Sequence, residues 1–135
     1  KRFDQTAIIE FQAQTFKFQK VGFANSGAQI INDKNQIIIN LKLKNWYSDI
    51  YAVEMGDKEF QIKTKNSPLV KFELSESEIP LLIYGLVNHE NKPVLKIDSY
   101  NSDISPLLDA LLFILFYPIL ISNFSDDLLL LLLMG

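Results

Sequence analysis

The chain has 135 residues, enough for one domain with a sizeable core and too few for a two-domain enzyme. Apolar residues make up 48% and charged residues 21%, with 5 Gly and 5 Pro, which excludes a disordered or collagen-like chain; with no Cys and one His, a disulfide framework, a thiolate nucleophile, a Cys/His zinc site or a Ser-His-Asp triad has little to work with. The net charge of −3 combines two unlike halves: residues 1–65 hold ten of the thirteen Lys and Arg against seven acids, and residues 66–135 hold three against nine. A domain-wide basic excess is therefore absent, so nucleic acid is not an expected partner, while a local basic face in the first half remains open. Lys1-Arg2 leads into polar residues with no apolar stretch, so no secretory signal is expected in this sequence, whose numbering is compatible with a longer protein.

The first hundred residues read as strands, because apolar and polar residues alternate and turn clusters interrupt them. Ala7, Ile9 and Phe11 are odd-numbered and Phe16 and Phe18 even-numbered, so the inward face switches, as a bulge or tight turn around Ala13 to Thr15 would make it do. Ile37, Ile39, Leu41 and Leu43 share one face and Asn40, Lys42 and Lys44 the other. Phe60, Ile62 and Thr64 oppose Glu59, Gln61, Lys63 and Lys65, and Val70, Phe72 and Leu74 oppose Lys71, Glu73 and Ser75. Residues 30–38, 51–60 and 86–94 each read as strand, polar turn, strand, with Asn, Asp and Gly supplying the turns. The expected fold is mainly β: an antiparallel meander of eight or nine short strands closing into a barrel-like domain, with a hydrophobic C-terminal helix.

That helix is expected over 105–121. Ser105 suits the N-cap, Pro106 the first helical position and Asp109 the positive end of the helix dipole. From Leu107 to Ile121 the residues are almost all apolar, so the helix is to be surrounded by protein or by lipid, and Pro118 should kink or shorten it. A single β domain thus spans 1–122, with residues 123–135 as a short hydrophobic tail. In the tail, Ser125-Asp126-Asp127 precedes Leu128 to Leu133, a run too short to cross ~30 Å of hydrocarbon. Hydropathy alone leaves two roles for the 105–121 helix, barrel core and membrane span; the lack of any Lys or Arg after Lys96 favours the core.

Successive hairpins followed by one apolar helix resemble the tubby C-terminal-like superfamily, and within it the LURP-one-related and phospholipid-scramblase-like proteins. The residues that carry the resemblance are the turns Asp33-Lys34-Asn35, Met55-Gly56-Asp57-Lys58 and Asn88-His89-Glu90-Asn91, the strands at 60–65 and 94–97, and the helix at 109–115. It covers roughly residues 28–122. It implies a closed barrel wrapped around the helix, association with membranes, and in some members phosphoinositide binding; no pocket residue carries over.

Candidate site residues follow from the alternation. Lys42, Lys44, Lys63 and Lys65 point outward on two strands that are potential neighbours, and such ammonium groups suit phosphate head groups. The plainer reading is that they solvate the sheet and discourage edge pairing. Trp46 and Tyr47 end the same lysine strand, either at a membrane interface or as a plug for a barrel end. His89 reads as a solvated turn residue, and Glu73, Glu76 and Glu78 offer carboxylates with nothing to place them in a pocket. The expectation is therefore a non-enzymatic, cofactor-free domain, cytoplasmic and peripheral to or anchored in a membrane. Its partner would be anionic membrane lipid, with a structural or protein-binding module, or a β domain tail-anchored by its helix, as alternatives.

Overall fold

In the computed structural model, residues 6–22, 27–44, 49–66 and 69–123 are described. Nine strands run antiparallel in meander order, followed by one helix. They are β1 (Thr6–Phe11), β2 (Gln14–Val21), β3 (Gly27–Ile31), β4 (Ile37–Leu43), β5 (Ile50–Met55), β6 (Lys58–Lys65), β7 (Lys71–Glu76), β8 (Ile79–His89) and β9 (Lys92–Ser99), and the helix is α1 (Pro106–Asn123). The sheet is open, with β1 and β9 at the ends of the strand order, so the expected closure into a barrel does not occur. Local alternation makes strands but carries no information on whether the last pairs with the first. The chain divides into two compact units, one up to Lys63 and one from Thr64.

In the first unit, β1 and β2 form a hairpin in which Ala7 opposes Phe18 and Ile9 opposes Phe16. The switch from odd to even inward residues is thus the hairpin itself, turned at Gln12-Ala13 with φ of 50° and 61°, and no bulge is needed. Cross-strand rows then carry the core through the unit: Phe18 opposes Ile30 and Ile30 opposes Ile39, while Ala28, Leu41, Val53 and Phe60 succeed one another across β3 to β6. All of these side chains are buried. Gly27 lets β3 approach β4 closely, since a Cβ there would lie 2.8 Å from the Leu41 carbonyl oxygen.

The β3–β4 connection is organised by Asn32. Its Oδ1 accepts from the backbone N–H of Lys34 and of Gln36, each at 2.9 Å, which satisfies loop donors that no strand reaches. A register shift next to this loop places Ile37 opposite Ile31 although Ile39 opposes Ile30. The extra residue turns Ile37 off the inward face, leaving it 56% exposed against 1% for Ile39. Ile37 therefore does not share the face expected for it.

In the second unit, β7, β8 and β9 form a meander with α1 packed on β7 and β8. The 75–80 segment is a hairpin: Glu76 opposes Ile79, and Ser77 and Glu78 turn the chain with φ of 50° and 70°. A register shift between Leu74 and Ser75 puts both side chains in the interior and sets Pro80 opposite Ser75, where the irregular ladder tolerates a residue without an N–H. Side chains other than Gly or Asn take left-handed φ at a cost of ~1–2 kcal/mol each. The change Ser77→Asn is therefore expected to stabilise the protein by about 0.5 kcal/mol, read as a higher urea midpoint at unchanged slope.

Helix α1 starts as its sequence dictates. The Leu107 N–H donates to Ser105 Oγ at 3.2 Å, and the N–H groups of Leu108 and Asp109 donate to the Ser105 carbonyl. It continues through Pro118 to Asn123, two residues past the expected end, so the proline does not shorten it, and Pro118 lies on the exposed side. One face is buried, with Leu111, Leu112, Phe116 and Leu120 at most 1% exposed. The opposite side leaves Tyr117 and Ile121 exposed. The helix is thus not enclosed all round: an open sheet offers it one face. No described helix is long and apolar enough to cross a membrane.

Candidate functional site

Register brings most of the lysines expected to act together onto one face of the first unit. On β4 to β6, Lys42 opposes Ala52 and Ala52 opposes Gln61. In the next row the Lys44 N–H donates to the Ile50 carbonyl at 3.0 Å, and Ile50 opposes Lys63. Lys44 and Lys63 therefore flank Ile50, two strands apart and so about 10 Å between backbones, with Lys42 about 7 Å along β4 from Lys44. Flexible four-carbon stems let these ammonium groups converge on one multivalent anion or spread over several head groups. Lys42 and Lys44 are exposed and Lys63 is half-buried.

The strands carrying Lys42 and Lys63 are separated by β5 rather than adjacent. Because β4 is paired on both sides, its lysines guard no sheet edge, which removes that part of the plainer reading. The same face changes sign one row further along, where Asn40 opposes Glu54 and Glu54 opposes Glu59. Asn40 Nδ2 donates to Glu54 Oε1 at 3.4 Å, holding that carboxylate beside its own row. Lys65 is exposed at the end of β6 and falls in the second unit. Trp46 and Tyr47 lie outside the described residues.

Among the described residues, the other polar groups expected from the sequence are not brought together into a second site. His89 sits in the exposed end of β8 with Nε2 3.9 Å from Glu90 Oε2, a contact between neighbouring surface residues that adds little stability. Glu73 lies on β7, and Glu76 and Glu78 flank or form the β7–β8 turn. No group of three or more His, Asp or Glu is arranged to hold a metal ion among the described residues.

One polar pair is absent from the sequence reading: the Tyr84 hydroxyl donates to Asp109 Oδ1 at 2.5 Å, joining β8 to the first turn of α1. Burial, then the hydrogen bond to Asp109 and its negative charge, push the phenol well above its usual range, so the hydroxyl stays protonated as a donor. The pair fixes helix against sheet, with the Phe116 ring edge-on to Phe72 at 5.1 Å and near Tyr84 at 6.0 Å. Asp109 alone reads as a dipole partner, and nothing local in the sequence shows that a tyrosine 25 residues earlier faces it. Comparison of the chain with protein families, with characterised proteins and with solved structures gives no match.

Proposed function

We propose that this chain is a non-enzymatic binding domain that meets anionic membrane lipid through the outer face of β4 to β6. The observation that carries the reading is the placement of Lys42, Lys44 and Lys63 on one face around Ile50. The basic excess of the first half and the resemblance to tubby-like proteins point the same way. Each lysine near an anionic surface contributes about 1 kcal/mol, so the cluster raises affinity by roughly a hundredfold over a neutral surface. Binding is then weak, reversible and screened by salt. On this reading the domain sits at a cytoplasmic leaflet and is peripheral to it; the burial of one face of α1 against protein supports a peripheral rather than an inserted domain.

Sedimentation of the full chain with vesicles tests this. Binding to phosphatidylserine-containing vesicles that is lost at high salt and absent on pure phosphatidylcholine supports the proposal, and equal behaviour on both lipids contradicts it. A second reading, a protein-binding module, draws on the exposed Tyr117 and Ile121 of α1. It predicts no vesicle binding at any salt concentration.

A further inference from the structure

The two ends of the strand order are built differently. On β9 the turn at Glu90-Asn91 makes His89 and Lys92 a hydrogen-bonded pair, so by alternation the backbone of Pro93 faces the outer edge, where proline supplies no donor. Lys92 and Lys96 add charge to that strand. Strand β1 has no such protection: its six residues, Thr-Ala-Ile-Ile-Glu-Phe, contain no proline and one charge.

The hairpin fixes which backbone groups of β1 are left over. The turn at Gln12-Ala13 pairs the Phe11 carbonyl with the Gln14 N–H, so Phe11, Ile9 and Ala7 direct their hydrogen bonds to β2. Thr6, Ile8 and Glu10 direct theirs away from it, and no strand among the described residues pairs with that edge. Ile8 is also 63% exposed, among the most exposed large apolar side chains of the protein.

We infer that the β1 edge is an interface for a second copy of this chain, joined antiparallel about a two-fold axis at Ile8. The sequence is self-complementary in that register. Ile8 opposes Ile8 of the second copy, and Thr6 opposes Glu10, so each backbone group left over by the hairpin exchanges N–H···O bonds with an identical set. On the inward face Ala7 meets Ile9, extending an apolar row, and the two exposed Ile8 side chains cover each other. No like charges are opposed. Lys17, next to Ile8 on β2, lies about 14 Å from its counterpart across the axis, beyond the Debye length in physiological salt.

Sedimentation equilibrium of the full chain, from low to high micromolar concentration, tests the interface. The wild-type chain is expected to dimerise reversibly. Ile8→Pro removes an N–H that faces the open edge and none that β2 uses, so it should preserve the circular dichroism spectrum while weakening the dimer by about a hundredfold. Ile8→Lys keeps the N–H but sets two ammonium groups on the axis, and should weaken the dimer even if the proline variant fails to fold. A chain monomeric throughout the range, or a dimer that Ile8→Lys leaves intact, overturns the inference.

Discussion

Replacing Phe116 with alanine is expected to lower stability by about 3–5 kcal/mol, a large part of the ~5–15 kcal/mol that holds a domain of this kind together. The ring is fully buried between α1 and the sheet, edge-on to Phe72 and close to Tyr84, so its removal leaves a void that these two rings cannot fill without leaving their rotamers. Tyr117 is the next residue but lies on the exposed side, touching Phe113 at a ring distance of 5.8 Å. Tyr117→Ala should therefore cost less than about 1 kcal/mol. Urea unfolding of the two variants reads the difference directly. Equal, small losses would mean that α1 does not pack as described, and a helix serving only as an anchor would behave in that way.

A second pair of substitutions tests the first unit. Ile39 is buried and opposes Ile30, so Ile39→Ala should cost about 2–5 kcal/mol. Ile37, two residues earlier on the same strand, should tolerate alanine with a loss below about 1 kcal/mol, because the register shift has turned it outward. Regular alternation predicts two similar losses. Comparable destabilisation by both variants would place the irregularity elsewhere in β4.

These two isoleucines show where the sequence stops being legible. Period-two alternation found the strands, since one wet and one dry face leave a local signature in every run, and Asn32, Gly56-Asp57 and Asn91 marked turns by their own backbone chemistry. The Ser77-Glu78 turn was hidden because neither residue favours left-handed φ; pairing of the flanking strands holds it there. Both register shifts depend on what the opposite strand presents, which no single run encodes. The helix from Ser105 was legible at its cap, but a sequence apolar on every side has no periodicity to tell which face meets the sheet. Closure failed as an expectation for a related reason, because it depends on the first and last strands together. In the candidate site, outward alternation found the lysines, whereas the role of β5 in carrying Ile50 between Lys44 and Lys63 needed the register.

The lipid reading turns on position rather than total charge, and that separation gives its most direct test. A triple charge reversal, Lys42→Glu with Lys44→Glu and Lys63→Glu, is compared with an equal reversal at Lys17, Lys34 and Lys58, which lie on β2, in the β3–β4 connection and at the start of β6. Both variants change net charge by the same amount. Binding to phosphatidylserine-containing vesicles at low salt should fall about a hundredfold or more in the first and far less in the second, with both retaining the wild-type circular dichroism spectrum. Equal losses in the two variants, or no loss in the first, would contradict a lysine site on β4 to β6.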